Sequence, residues 1–192
     1  MSALDDAPHV HVDDRATWRA WLEANHATAR GAWMVTWRAR SGKAGLDYEA
    51  AVEEALCFGW VDSTSGRVDD ERGKLYFAPR KPRSIWAASN KARVERLIAQ
   101  GLMAPAGLAA IERAKANGSW ETFDSVERLE VPDDLTAALA SRPPASDNFA
   151  AFPPSARKLM LWWVVSARRP ETRATRITQV AEAAARNERA RG

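Results

Sequence analysis

The pattern of hydrophobic and polar positions predicts a helix and then a strand near the start of the chain. Residues 14–26 begin with an aspartate, a good helix cap, and carry large apolar side chains at helical spacing: Trp18, Trp21 and Leu22. Residues 31–40 alternate instead, with one side formed by Ala32, Met34, Thr36 and Arg38. This alternation is typical of a strand with one buried face, and the glycine-containing segment 41–45 ends it.

The middle of the chain predicts a second helix followed by two strands. Asp47 is placed to cap a helix whose apolar positions recur at the spacing of one helix face: Tyr48, Ala51, Val52, Ala55 and Leu56. Gly59 ends this helix. Strands are expected at 60–68 and 73–78, joined by a turn at 69–73. Together with 31–40 they predict a small antiparallel sheet of about three strands.

From Ser84 onward the sequence predicts helices. Ser84 is expected to cap a helix over 85–100 whose buried face carries Trp86, Asn90, Val94, Leu97 and Ile98. Pro105 suits the first turn of a further helix that ends at Gly118. The five prolines between residues 121 and 154 predict short helices and loops there.

Two longer helices, 155–168 and 171–189, complete the predicted organisation. The fold class is therefore α+β and mainly helical. We expect an N-terminal α+β domain over 1–125 and a C-terminal helical region over 126–192 that packs on it.

Composition indicates a folded protein of the cytoplasm. A chain of 192 residues that is 46% hydrophobic is long enough to bury a core, and most of its nine Trp are expected in the core or in pocket walls. Cys57 is the only cysteine, so an intrachain disulfide is excluded. No apolar run reaches the roughly 18 residues that a membrane span needs. The N-terminal segment is acidic and does not have the pattern of a secretory signal, which favours a cytoplasmic location.

The positive charge of the chain is concentrated in two segments. Residues 72–96 hold eight Lys or Arg against one Glu, and residues 157–192 hold nine against three, although the whole chain has a net charge of only +3. Such clusters indicate an anionic partner. The alternative is that they are solvated helix faces.

Several catalytic and metal-binding signatures are absent or incomplete. Neither common nucleotide-phosphate loop occurs, nor does the GxSxG turn of serine hydrolases. His9 and His11 form an isolated pair in an expected N-terminal tail, so we predict no metal site and no cofactor. Asp62, Asp69 and Asp70 are candidate general bases, but aspartates in a hairpin more often form turns or ion pairs.

Two short segments do indicate a binding site. CFGWVDS (57–63) and FAPRKPRSIWAASN (77–90) together supply the candidate ligand-binding residues Trp60, Asp62, Ser63, Arg80, Lys81, Arg83, Ser84, Trp86 and Asn90. Arginines beside the start of a helix favour a phosphate or a carboxylate, because guanidinium forks and free backbone N–H groups both donate to anions. The alternative is that Asp62 pairs with one of these arginines, Ser84 only caps the helix, and both indoles lie in the core.

Three stretches resemble the bacterial YdeI/OmpD-associated family in content and order. They are DYEAAVEEALCFGWVDS, FAPRKPRSIWAASNKARVERLIAQGLMAPAGLAAIERAKANGSW and FPPSARKLMLWWVVSARRPETRATRI, which together cover about 48–177. The resemblance adds Gly59 and Pro79 to the candidate positions. Ala87 stands where the family commonly has Ser, so no hydroxyl role is carried over to that position. The family name implies a link to bacteriocin protection and to an outer-membrane porin, and it implies no reaction.

We therefore expect a cytoplasmic protein that binds an anionic small molecule or a peptide carboxylate, linked through the family to envelope stress or antimicrobial-peptide tolerance. An enzyme of unknown class acting on such a ligand is the first alternative. Single-stranded nucleic-acid binding is the second and less expected one, since basic residues interleaved with Trp also form stacking platforms. A protein partner is left open.

The segment ARRPETRATRI (167–177) supplies two secondary candidates, Arg173 and Arg176, which lie on one side of a helix. They are either solvated or part of the positive surface around Arg80 and Arg83. The second interpretation predicts that this segment faces the loop 79–84.

Overall fold

A four-stranded sheet and nine α-helices form the part of the chain that the computed structural model describes, residue 4 and residues 6–190. The strands are β1 (His9–His11), β2 (Ala32–Trp37), β3 (Trp60–Arg67) and β4 (Arg72–Pro79). The helices are α1 (Arg15–Asn25), α2 (Tyr48–Cys57), α3 (Ala88–Ala99), α4 (Pro105–Ala116), α5 (Asp124–Glu127), α6 (Asp133–Ala140), α7 (Ala145–Ala151), α8 (Pro154–Val165) and α9 (Pro170–Ala185). The predicted α+β class is confirmed.

The chain divides into two compact units. Residues 1–121 hold the sheet and α1–α4, and residues 122–192 hold α5–α9. The packing of the C-terminal helices on the N-terminal domain stays a prediction. In the described part of the chain, no helix combines the length and the apolar character that crossing a membrane requires.

The sheet has the strand order β1-β2-β4-β3, with β1 parallel to β2 and the other two pairs antiparallel. The prediction of three antiparallel strands therefore missed one strand, because His9–His11 forms a parallel edge strand rather than a tail. A strand of three residues is too short for an alternating pattern to reveal it. Its position depends on distant contacts, such as the His9 ring that meets the Trp33 ring edge-on at 6.3 Å.

β2 is more deeply buried than predicted. Both of its faces are covered over residues 32–35, whereas the alternation predicted one buried face. On the second face the Trp33 ring packs edge-on against Tyr76 of β4, with 5.2 Å between ring centroids. A cross-strand aromatic pair thus covers the side that was expected to be open.

Both predicted aspartate caps are present. Asp14 accepts a hydrogen bond from the Thr17 N–H at 2.8 Å, and Asp47 accepts one from the Ala50 N–H at 2.8 Å. Each cap satisfies a backbone donor that the first helical turn leaves free. Gly59, with a φ of 74°, turns the chain from α2 into β3, and this left-handed conformation favours glycine.

The predicted start of α3 is wrong. The helix begins at Ala88, its cap position is Ala87, and the Ser84 N–H donates to the Lys81 carbonyl in a turn. Trp86, just before the helix, is buried with 2% of its surface exposed. Burial of this indole takes precedence over the capping potential of Ser84, because a fully buried aromatic side chain contributes more to stability than one cap.

Two residues predicted on buried helix faces are instead exposed. Ile98 on α3 has 47% of its surface exposed, and Tyr48 at the start of α2 has 55%. Each lies at the end of its helix, where the apolar stripe extends beyond the elements that cover it. The exposure of Tyr48 places its hydroxyl beside Asp62, in the site described below.

α2 carries two adjacent carboxylates into the interior. Glu53 and Glu54 have only 8% and 2% of their surfaces exposed. Glu54 accepts hydrogen bonds from Arg15 Nε at 2.5 Å and from Arg19 Nη1 at 2.7 Å. Glu53 pairs with Arg15 Nη2 at 2.9 Å and with Arg96 of α3. Arginines of α1 and α3 therefore neutralise both charges of α2, and Arg15 binds both carboxylates.

The C-terminal unit has its own core, formed by buried side chains of α6–α9 such as Leu135, Phe149, Leu161 and Val180. The predicted helices 155–168 and 171–189 are observed as α8 and α9, each with proline in its first turn. The predicted buried stripe of the last helix is confirmed over Ile177, Val180, Ala181 and Ala184.

The ion pairs of α2 predict a difference in stability between two isosteric variants. Glu54→Gln removes the charge that Arg15 and Arg19 bind in the interior, so the free energy of unfolding should fall by about 2 kcal/mol. Glu49→Gln on the same helix removes an ion pair with Arg93 whose carboxylate is half exposed, and should cost less than about 1 kcal/mol. Urea unfolding of the full chain measures both. Equal losses would contradict the role of burial.

Candidate functional site

A cleft of about 720 Å³ opens on the face of the sheet that carries Met34, Thr36 and Leu75. The strand register places Thr36 beside Gly73, and Gly73 beside Arg67. This volume lies in the range of about 300–1,000 Å³ that is common for small-molecule sites. The cleft is therefore the candidate binding site of the N-terminal unit.

The core helices cover only one end of this sheet face. Phe77 is fully buried and its ring lies 5.3 Å from the ring of Trp18 in α1. Two pleats farther along β4 the same face carries Gly73, which has no side chain to fill the space. A Cβ atom at Gly73 would lie 3.6 Å from Arg38 Cγ, an ordinary contact distance. The absent side chain thus leaves the floor of the cleft open, and the packing of the protein tolerates a larger residue there.

The segment between β2 and α2 forms one wall of the cleft. The Leu46 N–H donates to Thr36 Oγ1 at 2.9 Å, which holds the segment against β2. A Cβ atom at Gly45 would lie 2.8 Å from the Trp37 carbonyl oxygen, so only glycine permits this approach. Leu46 and Tyr48 line the cleft as a result.

The positive end of the cleft is formed by Arg38 and Arg67. Arg67 is engaged, since its Nε donates to the Asp69 carbonyl at 2.9 Å and its Nη2 pairs with Asp70. Arg38 is half-buried, and its guanidinium makes no hydrogen bond or ion pair with any residue that the structure describes. Arg38 is therefore a cation in a cleft whose donors are available to a ligand.

The opposite end carries a hydrogen-bonded pair. The Tyr48 hydroxyl donates to Asp62 Oδ2 at 2.9 Å, and Ser63 lines the cleft next to Asp62. Desolvation of the Tyr48 hydroxyl, its hydrogen bond to Asp62 and the negative charge of Asp62 raise the pKa of Tyr48. At neutral pH Tyr48 therefore stays a proton donor, while Asp62 Oδ1 makes no hydrogen bond among the described residues.

Arg80 lies on the interior side of Asp62 and does not reach solvent. It has 6% of its surface exposed, its guanidinium carbon lies 3.7 Å from the centre of the Trp86 ring, and its Nη1 donates to the Ile85 carbonyl at 2.9 Å. Burial lowers the pKa of Arg80 to about 10, and the charge of Asp62 partly opposes this shift. The charge of Arg80 is therefore buried beside Trp86 and is partly balanced by the negative charge of Asp62.

The two predicted site indoles belong to the core. Trp60 has 1% of its surface exposed and donates its Nε1 to the His26 carbonyl at 3.3 Å. Trp86 stacks on Arg80 and meets the Trp120 ring at 5.0 Å. Both indoles therefore lie in the core, as the alternative interpretation of the sequence expected, and their contact with a ligand stays a prediction.

The other predicted residues of this site do not line the cleft. Lys81 and Arg83 are exposed on the loop that precedes α3, and Ser84 lies in the turn already described. Asn90 Oδ1 accepts from Arg93 Nη1 at 2.8 Å, and its contact is with α3 itself. Of the residues predicted from sequence, the cleft brings together Asp62 and Ser63.

Arg173 and Arg176 are both engaged within the C-terminal unit. Arg173 forms two hydrogen bonds with the carboxylate of Asp134, at 2.7 and 2.9 Å, which join α9 to α6. Arg176 Nη1 donates to the Trp163 carbonyl at 2.6 Å. The predicted approach of this segment to the loop 79–84 stays a prediction.

The aspartates of the β3–β4 turn have structural contacts. Asp69 accepts from the N–H groups of Glu71 and Arg72, and the Arg72 side chain lowers the pKa of Asp69. Asp70 pairs with Arg67. Among the described residues, no three His, Cys, Asp or Glu side chains are grouped in a way that would hold a metal ion.

Sequence reasoning missed Arg38, Tyr48 and Gly73. A signal existed for Arg38, because the alternation of 31–40 places it on the same side as Met34 and Thr36. Nothing local marks Gly73 as part of a cleft floor, since its position opposite Thr36 and Arg67 depends on strand register.

The matches to family models divide the chain near the boundary between its two compact units. Residues 10–110, more than half of the chain, match the family model described as Domain of unknown function (DUF8412). The chain belongs to the DUF8412 family. Residues 128–187 match a second model, described as Bacteriocin-protection, YdeI or OmpD-Associated, which confirms the predicted family for that part of the chain. Comparisons with curated proteins and with solved structures found no match.

The cleft lies wholly within the DUF8412 match. Three stretches of the sequence resembled the YdeI/OmpD-associated family. The first two, which hold the candidate positions such as Asp62 and Arg80, end before the match to that family begins at residue 128. Only the third stretch, which starts at Phe152, lies inside the match. Neither family description names a ligand or a reaction. The function of the DUF8412 region therefore has to be inferred from its cleft.

The Tyr48–Asp62 pair predicts a titration shift. In Asp62→Asn the carboxylate charge is lost while an oxygen acceptor remains, so the pKa of Tyr48 should fall toward its ordinary value of 10.0 and stay above it because the desolvation persists. The tyrosinate absorbance of the full chain as a function of pH measures this. Tyr76 is the only other tyrosine, so Tyr48→Phe identifies the signal of Tyr48. An unchanged titration in Asp62→Asn would contradict the pairing.

Proposed function

We propose that the DUF8412 region binds an anionic small molecule or a peptide carboxylate in the cleft, with Arg38 as the principal anion ligand. The observation that carries this proposal is that the half-buried residue Arg38 lines a cleft and that its guanidinium has no partner among the described residues. Arginine forks bind carboxylates and phosphates in concave sites, so a guanidinium in this position supports binding of an external anion.

The surroundings of Arg38 fit an anion that carries an apolar part. Met34, Leu46 and Leu75 give the cleft apolar walls, and a neighbouring low-dielectric surface strengthens the attraction between a guanidinium and a carboxylate. The carboxylates of the β3–β4 turn, those of Asp69, Asp70 and Glu71, are paired with Arg72, Arg67 and Lys43. Arg38 is therefore not neutralised from within the hairpin.

The loop 81–84 is a weaker anion site than the cleft. Lys81 and Arg83 are exposed there, Arg80 is directed inward, and the helix that would supply free N–H groups starts only at Ala88. Exposed cations bind anions weakly because water and salt screen the interaction. The proposed anion position accordingly moves from Arg80 and Arg83 to Arg38.

The cellular role is part of the proposal and rests on the family name. The words "Bacteriocin-protection" describe the family that residues 128–187 match, and we extend them to this chain as tolerance of envelope stress or antimicrobial peptides. A cytoplasmic location is proposed with it, in line with a chain that has one cysteine, Cys57, buried in the core.

An enzyme that acts on the same ligand is the second candidate. The observation that favours it is the Tyr48–Asp62 pair, which places a proton donor and a carboxylate at one end of the cleft. Single-stranded nucleic-acid binding has less support, because stacking requires accessible indoles and Trp60 and Trp86 are buried.

The proposal predicts that one arginine controls anion binding. Citrate, pyrophosphate or phosphate should raise the melting temperature of the full chain, because a ligand that binds only the folded state stabilises it. Arg38→Ala should weaken the apparent affinity for these anions by about tenfold or more, the value of one charge-assisted hydrogen bond.

Arg83→Ala is the matched control, since it removes an exposed arginine of the loop 81–84 and should leave the anion response unchanged. Gly73→Val tests the cleft in a second way, because the new side chain fills the floor without meeting the backbone closely. It should also weaken binding. The proposal is wrong if no anion stabilises the protein, or if Arg83→Ala removes the response and Arg38→Ala does not.

A further inference from the structure

The charged groups of the cleft lie at its two ends. Asp62 pairs in register with Phe77, and Arg67 pairs with Gly73, which is four residues earlier on β4. At the strand rise of about 3.4 Å per residue, these two positions are about 14 Å apart along the sheet. Arg38 lies at the same end as Arg67, one residue beyond the Trp37–Arg72 pair. The Asp62 carboxylate, which Arg80 partly balances from the interior, thus lies at one end of the cleft, and the Arg38 guanidinium lies at the other.

The surface between the ends carries no charged side chain directed into the cleft. The sheet face there consists of Met34, Thr36, Leu75, Ser65 and Gly73. Lys74 also borders the cleft, but its ammonium group lies 4.2 Å over the Trp33 ring on the opposite face of the sheet. Ser63 and Ser65 are exposed on β3 and offer hydroxyl groups along the path. A ligand that spans the cleft therefore meets an apolar floor, a row of hydroxyls and opposite charges at its two ends.

We propose that the ligand is a short peptide with both termini free, and this inference rests on the function proposed above. The peptide binds with its carboxylate at Arg38 and its ammonium group at Asp62. An extended chain spans at most about 3.3–3.6 Å per residue, so about four residues reach from one end to the other. Asp62 Oδ1 is available as an acceptor because Tyr48 occupies Oδ2. The hydroxyls of Ser63 and Ser65 complement the polar groups of a peptide backbone.

The two charged ends also determine which anions bind poorly. A dicarboxylate of the same length would place its second negative charge beside Asp62, and like charges in one site repel. A peptide blocked at either end loses one of the two attractions. Selectivity for a free peptide over a simple anion therefore follows from Asp62, whereas binding of any anion follows from Arg38.

Isothermal titration calorimetry of the full chain with oligoalanines of about two to about six residues measures how affinity depends on peptide length. The length that binds best can then be compared with the span of the cleft, which follows from the strand rise. Affinity should be highest near about four residues. Acetylation of the N-terminus and amidation of the C-terminus should each weaken binding by about tenfold or more, because each removes one charge-assisted contact. These comparisons use the unaltered protein, so they do not depend on the folding of a variant.

Two variants assign the ends. In Asp62→Asn, acetylation of the peptide N-terminus should no longer weaken binding, whereas amidation of the C-terminus still should. In Arg38→Ala, amidation should no longer weaken binding, whereas acetylation still should. Arg83→Ala should behave as the unaltered protein. If acetylated and free peptides bind equally while citrate still requires Arg38, the peptide inference is wrong and the anion site stands. If neither peptides nor citrate respond to Arg38→Ala, both proposals are wrong.

Discussion

The pairing of two buried carboxylates on α2 with arginines of α1 and α3 is the constraint on which the N-terminal unit depends. Glu53 and Glu54 are adjacent in sequence and both are buried, so both charges require cations to balance them. Arg15 and Arg19 supply them from one side and Arg96 from the other. A buried charge without a partner is very costly, so these pairs fix how α1 and α3 lie against α2.

The position of α2 in turn sets the geometry of the cleft. Its first residue, Tyr48, is placed at the edge of the sheet, where its hydroxyl meets Asp62 of β3. The segment that leads into α2 is held against β2 through Thr36 and needs glycine at position 45 to approach closely. The helices cover the sheet face as far as Phe77, and Gly73 leaves the remainder open. The same packing that satisfies the interior carboxylates thus leaves the half-buried Arg38 in an open cleft.

Sequence reasoning predicted those features that depend on near neighbours in the chain. The caps Asp14 and Asp47 and the first-turn proline of α9 follow from local hydrogen bonding and local stereochemistry. It failed at Ser84, where burial of Trp86 outweighs a local cap preference.

The site was harder to predict than the fold for the same reason. Asp62 and Ser63 were predicted because they belong to a distinctive segment, and both line the cleft. The position of Arg38 in the cleft depends instead on which residues of β4 and β3 lie beside it. Arg80 has the sequence context of an anion ligand, yet a neighbouring indole holds it in the interior. Basic residues in a sequence indicate charge, and only the packing shows which of them face solvent.

A crystal structure of the full chain grown with a short peptide or citrate would show where an anion binds. We expect a carboxylate within hydrogen-bond distance of the Arg38 guanidinium, above Gly73 in the cleft. An anion bound at Lys81 and Arg83, with the cleft occupied only by water, would contradict it.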